Sequence, residues 1–90
     1  MIKSHVTMVI ADYSQWRAVF DSVEGLRQQY GVVQSHVYVN AENPNEVTTV
    51  AEWSDEARAR QFFASQELRD AMAQGGVQGP PQIKFLVDRT

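Results

Sequence analysis

Between Ile10 and Tyr13 the spacing of apolar residues changes from every second residue to every third or fourth, and that switch restricts the folds open to the chain. In "IKSHVTMVI", residues 2 to 10, Ile2, Val6, Met8 and Ile10 share one side, while Lys3, His5, Thr7 and Val9 share the other. This is the pattern of a strand with one apolar face. Asp12 stands where an N-cap belongs, with Gln15 three residues on to complete a capping box. Tyr13, Trp16, Phe20, Val23, Leu26 and Tyr30 then mark one stripe of a helix that Gly31 is expected to end.

The same succession follows a second time. Residues 32 to 40, "VVQSHVYVN", and 46 to 53, "EVTTVAEW", flank a turn-rich "AENPN" and predict a hairpin. With Asn40 facing Glu46, Val33, Ser35, Val37 and Val39 lie opposite Trp53, Ala51, Thr49 and Val47 on an apolar face. Gln34, His36 and Tyr38 then lie opposite Glu52, Val50 and Thr48 on a mixed one. Ser54 is the expected N-cap of a helix through residues 55 to 74, with a break near Ala64 to Gln66 where Ser65 can cap a second turn. Phe62, Phe63, Leu68 and Met72 supply its buried side. "GGVQGPP" reads as a rigid loop ahead of a last strand, "QIKFLVD".

The order β-α-β-β-α-β in 90 residues is that of a single α+β domain, residues 1–90: a ferredoxin-like four-stranded antiparallel sheet with its helices on one face. The other face, with His5, Thr7, Val9, Gln34, His36, Tyr38, Val50 and Leu86, is too apolar for water and too polar for a core. A homodimer that stacks two such faces into a barrel is expected. A chain this short buries only about 60–65% of the surface exposed on unfolding, so a partner subunit would add stability.

Composition removes several functions. Eight basic against eleven acidic residues, scattered along the chain, offer no patch for nucleic acid or anionic lipid. There is no cysteine for a disulfide, a thiolate nucleophile or a sulfur-ligated metal. No apolar run approaches a membrane span, and the first residues lack the layout of a signal peptide, so a cytoplasmic location is expected.

Three stretches, "HVTMVIADYSQWRAVFD", "VAEWSDEARARQFFASQELRDAM" and "GGVQGPP", resemble the dimeric α/β-barrel superfamily, which includes the antibiotic biosynthesis monooxygenases and small cyclase-like proteins. The resemblance implies an activity on an aromatic or polyketide-type molecule without a bound cofactor. It places the substrate cavity between sheet and helices, where Tyr13, Trp16, Phe20, Trp53, Phe62 and Phe63 would line it, with Tyr38 as a further substrate contact. Heme-degrading members carry their axial histidine on a helix. Here both histidines, His5 and His36, fall on predicted strands, so that role is not transferred.

The histidines are the expected general base and acid, because imidazole titrates near neutral pH. A hydrogen-bonded pair in a subunit interface is the alternative. Two imidazoles without a third ligand make a poor metal site, and none is expected. A non-catalytic dimeric binding or interaction module of the same fold is the competing function.

Overall fold

The computed structural model describes residues 1–90. Strand β1 (Ile2–Ile10) leads through Asp12 into helices α1 (Tyr13–Ser22) and α2 (Glu24–Gln29). The hairpin β2 (Val32–Asn40) and β3 (Asn43–Trp53) follows, then helices α3 (Glu56–Ala64) and α4 (Gln66–Gln74), then β4 (Val77–Val87). The sheet is antiparallel with order β2-β3-β1-β4, the ferredoxin-like arrangement. No helix is long and apolar enough to cross a membrane.

The period-two reading of β1 holds. Ile2, Ser4, Val6, Met8 and Ile10 are all buried beneath the helices, while Lys3, His5, Thr7 and Val9 point to the opposite face. Asp12 accepts a hydrogen bond from the Gln15 amide at 2.9 Å, the capping contact, which typically contributes about 1 kcal/mol. Gln15 does not return the bond. Its side chain donates to the Gln74 carbonyl at 2.8 Å and so ties the start of α1 to the end of α4.

Four local expectations are corrected. The first helix is not continuous. Ser22 Oγ donates to the Val19 carbonyl at 2.7 Å, and Val23 leaves helical geometry at φ −103°, ψ 16°. A hydroxyl that bonds back to the preceding turn weakens the helix at that point. The break divides the apolar stripe: Tyr13, Trp16 and Phe20 join one core cluster, Leu26 and Tyr30 another.

The N-cap of α3 is Asp55, which accepts from the Ala57 amide at 2.9 Å. Ser54 instead donates to the Gly31 carbonyl at 3.1 Å. The break at Ser65 stands as expected, with Ser65 Oγ accepting from the Leu68 amide.

Strand β3 begins at Asn43 rather than Glu46. Asn40 pairs with Asn43 across a short turn, and the Asn40 side chain donates to Glu46 at 2.7 Å. From Gln34 to Val39 the register is the expected one. Val33 bulges out, so Val32 rather than Val33 faces Trp53. Lastly, "GGVQGPP" is not a loop: Gly79, Pro80 and Pro81 lie within β4 at an irregularity opposite Met8, on an edge strand where missing amide donors are tolerated.

Two apolar clusters fill the space between sheet and helices. One comprises Ile2, Ala51, Trp53, Ala59, Phe62 and Leu68; the other comprises Val6, Met8, Trp16, Ile10 and Val47. Phe63 packs against both.

Candidate active site

Where the two clusters meet, the helices do not close fully on the sheet. A cavity of about 60 Å³ remains there, walled mainly by apolar side chains. β1 contributes Ser4, Val6 and Met8, and β3 contributes Thr49, Ala51 and Trp53. The helices contribute Trp16 and Phe20 from one side and Phe62, Phe63 and Met72 from the other.

The aromatic walls are fixed by one another. Trp16 stacks on Phe20 with ring centres 4.9 Å apart, and Trp53 lies 5.2 Å from Phe62 and 5.8 Å from Phe63. Tilted and edge-on contacts of this kind suit the ring quadrupoles and add to the gain from burial. The Trp53 indole N–H would be costly to bury unpaired; it donates to Ser4 Oγ at 2.9 Å, and both residues are about 1% exposed. Ser4 is therefore the polar residue that an otherwise apolar strand face needs.

Five of the expected contact residues, Trp16, Phe20, Trp53, Phe62 and Phe63, line this cavity. Tyr13 packs behind Trp16 at 6.0 Å and receives a hydrogen bond from Arg17 at 3.4 Å, outside the lining. Tyr38 is 56% exposed on the far face of the sheet, beside His36. Ser4, Ser35, Thr49 and Arg27 also line the cavity and were not among the expected site residues. Arg27 left a legible sign, since it falls seven residues after Phe20 and four after Val23, on the apolar stripe where a charge is out of place.

Arg27 is only 7% exposed and has no carboxylate within ion-pair distance. Its guanidinium lies 3.8 Å from the Phe20 ring centre and donates to the Phe20 carbonyl at 2.9 Å, near the end of α1. Burial pushes its pKa down, partly opposed by Glu24 and Asp21. An arginine nevertheless keeps its charge at neutral pH. It also lines a second, polar cleft of about 280 Å³, together with Arg17, Asp21, Glu24 and Gln28; Phe20 and Ser35 border both spaces.

His5 and His36 stand elsewhere. Both project from the open face, in one row across the sheet: His36 pairs with Val50 and Val50 pairs with His5. One strand therefore separates them, which sets the backbones about 10 Å apart. The open face is otherwise mixed. Thr7 bonds Thr48 at 3.1 Å and Lys3 pairs with Glu52 at 3.5 Å, while Val9, Tyr38 and Leu86 are exposed. No group of three or more His, Asp or Glu side chains stands together as a metal site would require.

The antibiotic biosynthesis monooxygenase family profile matches residues 12–74, more than half of the chain. The chain belongs to that family. A search of curated proteins finds no match. Among solved structures, a Bordetella bronchiseptica protein assigned to the antibiotic biosynthesis monooxygenases superposes with TM-score 0.82 at 15% identity, over 99% of this chain and 97% of its own. SnoaB, a cofactor-independent oxygenase from Streptomyces nogalater, gives 0.80 at 12% identity, over 99% and 93%. The ActVA-Orf6 monooxygenase of Streptomyces coelicolor, solved in complex with nanaomycin D, gives 0.69 at 19% identity, over 99% and 88%. At these identities the likeness to each of the three structures establishes the shared fold.

Proposed function

We propose that this chain is a small cofactor-independent monooxygenase acting on an aromatic, polyketide-type molecule. The observation that supports the reading is the aromatic lining between sheet and helices, two tryptophans and three phenylalanines around a small cavity that shares Phe20, Arg27 and Ser35 with a larger polar cleft. SnoaB and ActVA-Orf6, which share the fold, are an oxygenase and a monooxygenase. In the proposed chemistry the electrons come from the substrate. An ionised hydroxyarene adds O₂ at an activated ring carbon; a CH₂ there becomes C=O, and the second oxygen atom leaves as water. The protein contributes desolvation, orientation and charge.

The test is oxygen uptake with an anthrone-type hydroxyarene in the presence of a chelator. The expected result is quinone formation well above the buffer rate, with one atom of ¹⁸O₂ in the product. A rate equal to buffer refutes the reading.

We also infer that two copies pair through the open face, supported by Val9, Tyr38 and Leu86 exposed among polar side chains. The imidazoles of His5 and His36 lie on that face. His5→Ala and His36→Ala separate their roles. Turnover lowered roughly 100-fold in an intact dimer marks a general base, and dissociation with turnover kept per dimer marks a subunit contact.

One observation favours a second reading, a binding module without catalysis: no general base lines the cavity, whose polar groups are Ser4, Arg27, Ser35 and Thr49. Tight binding of an aromatic probe with no oxygen uptake would select it.

A further inference from the structure

Arg27 is the only charged side chain that reaches the apolar cavity, and it does so from the wall shared with the polar cleft. Its hydrogen bond to the Phe20 carbonyl puts it against the negative end of the α1 dipole, equivalent to roughly half a charge. The rest of its charge is uncompensated at contact range. Asp21 is engaged by Arg17 at 3.1 Å, and Glu24 lies outside ion-pair distance. A guanidinium buried to this extent ordinarily has a carboxylate beside it. Only one hydrogen bond to the protein is made by a group with five N–H donors, and its unpaired nitrogens keep contact with solvent on the side of the polar cleft.

We propose that Arg27 is an anion-binding residue at the throat of the site, which holds the ionised oxygen of a hydroxyaromatic ligand while its rings enter the apolar cavity. The inference rests on the aromatic-substrate reading above and assigns the residue that holds the ionised oxygen. The cavity alone is too small for a fused aromatic; a cleft of about 280 Å³ lies on the other side of the wall made by Arg27, Phe20 and Ser35, and a ligand that occupies both requires those side chains to part. A bicyclic ligand lying across that junction has its apolar edge among Trp16, Trp53 and Phe63 and its oxygen beside the guanidinium. Met72, half-buried and unbranched, is the wall best able to give way.

The placement also answers the absence of a base in the cavity. A cation in a water-poor site lowers the pKa of an adjacent phenol, so the proton can pass to water through the polar cleft with no protein base. Asp21, Glu24 and Arg17 face the same cleft, and the two acids oppose the effect in part.

The experiment uses the full chain with two probes, 1-naphthol, which ionises, and 1-methoxynaphthalene, which cannot. Bound 1-naphthol, followed by naphtholate absorbance, is expected to titrate about 1 to 3 units below its value in water. Each unit corresponds to tenfold tighter binding of the anion than of the neutral form. In Arg27→Met that shift should vanish while 1-methoxynaphthalene binds within about threefold of the parent, and in Arg27→Lys part of it should remain.

A bound naphthol that titrates at or above its free value overturns the proposal, and this arm needs only the unmodified chain should Arg27→Met fail to fold. A shift that persists undiminished in Arg27→Met overturns it as well. Binding of 1-methoxynaphthalene with no gain from ionisation removes the role of Arg27 and leaves the aromatic site standing; binding of neither probe removes both.

Discussion

The bond between Trp53 and Ser4 joins two side chains that are each about 1% exposed, and a double-mutant cycle isolates it. Ser4→Ala removes the acceptor and leaves a buried indole N–H unpaired, at a cost of about 1–3 kcal/mol. Trp53→Phe removes the donor and part of a fully buried ring, so loss of burial and a residual void should raise the cost to about 2–4 kcal/mol. In the double variant the hydrogen bond is lost only once, and the two changes should fall short of additivity by about 1–2 kcal/mol. Urea denaturation at one fixed protomer concentration measures all four proteins, with constant slopes as the check that only the native contacts changed. For a domain of this size each kcal/mol corresponds to about 4–8 °C in Tm, so thermal melts give a second reading. Additivity within about 0.3 kcal/mol would refute the reasoning, because it would mean that the indole N–H finds an equivalent partner once Ser4 is gone.

Trp16→Ala should cost about 3–5 kcal/mol in denaturant melts, since the ring is buried against Phe20; a loss under about 1 kcal/mol would show that it borders open space. If two copies pair through the open face as proposed, Tyr38→Glu should give a monomer in sedimentation without altering the far-UV circular dichroism, because a carboxylate would have to be desolvated in the contact. Gly31→Ala should destabilise by about 1 kcal/mol or more in thermal melts. The backbone there has φ +90°, and the new Cβ would lie 2.8 Å from Ser54 Oγ.

The elements that follow from hydrophobic period were legible in the sequence, because the period reports which face is buried whatever lies against it. β1 and the hairpin register from Gln34 to Val39 belong to this class, while the break at Ser65 was legible from a serine placed where it can cap a second turn. The misplaced elements depend on single contacts made by residues distant in the chain. Ser54 is a plausible cap by position, but the Gly31 carbonyl lies within its reach and Asp55 takes the cap. Gly79, Pro80 and Pro81 read as a loop by composition, yet the edge of a sheet leaves their lost donors without consequence. In the site, the aromatic walls were visible as stripe residues. Arg27 lies on the apolar stripe seven residues after Phe20, but that its charge is covered follows only from how α1 and α2 pack on the sheet. The histidines were placed correctly on one face, but which face meets the cavity is decided by where the helices pack.

The two outermost strands of the sheet also limit how this chain can meet another. On β4, two consecutive prolines and a glycine at φ +71° interrupt the row of backbone donors, and on β2 the unmatched Val33 breaks the rhythm of the pairing. The interruptions shorten the regular ladder on each border to residues 34–39 of β2 and 82–87 of β4, which limits the length over which a further strand could hydrogen-bond. Bulges and edge prolines of this kind are among the features that disfavour edge-to-edge association of sheets.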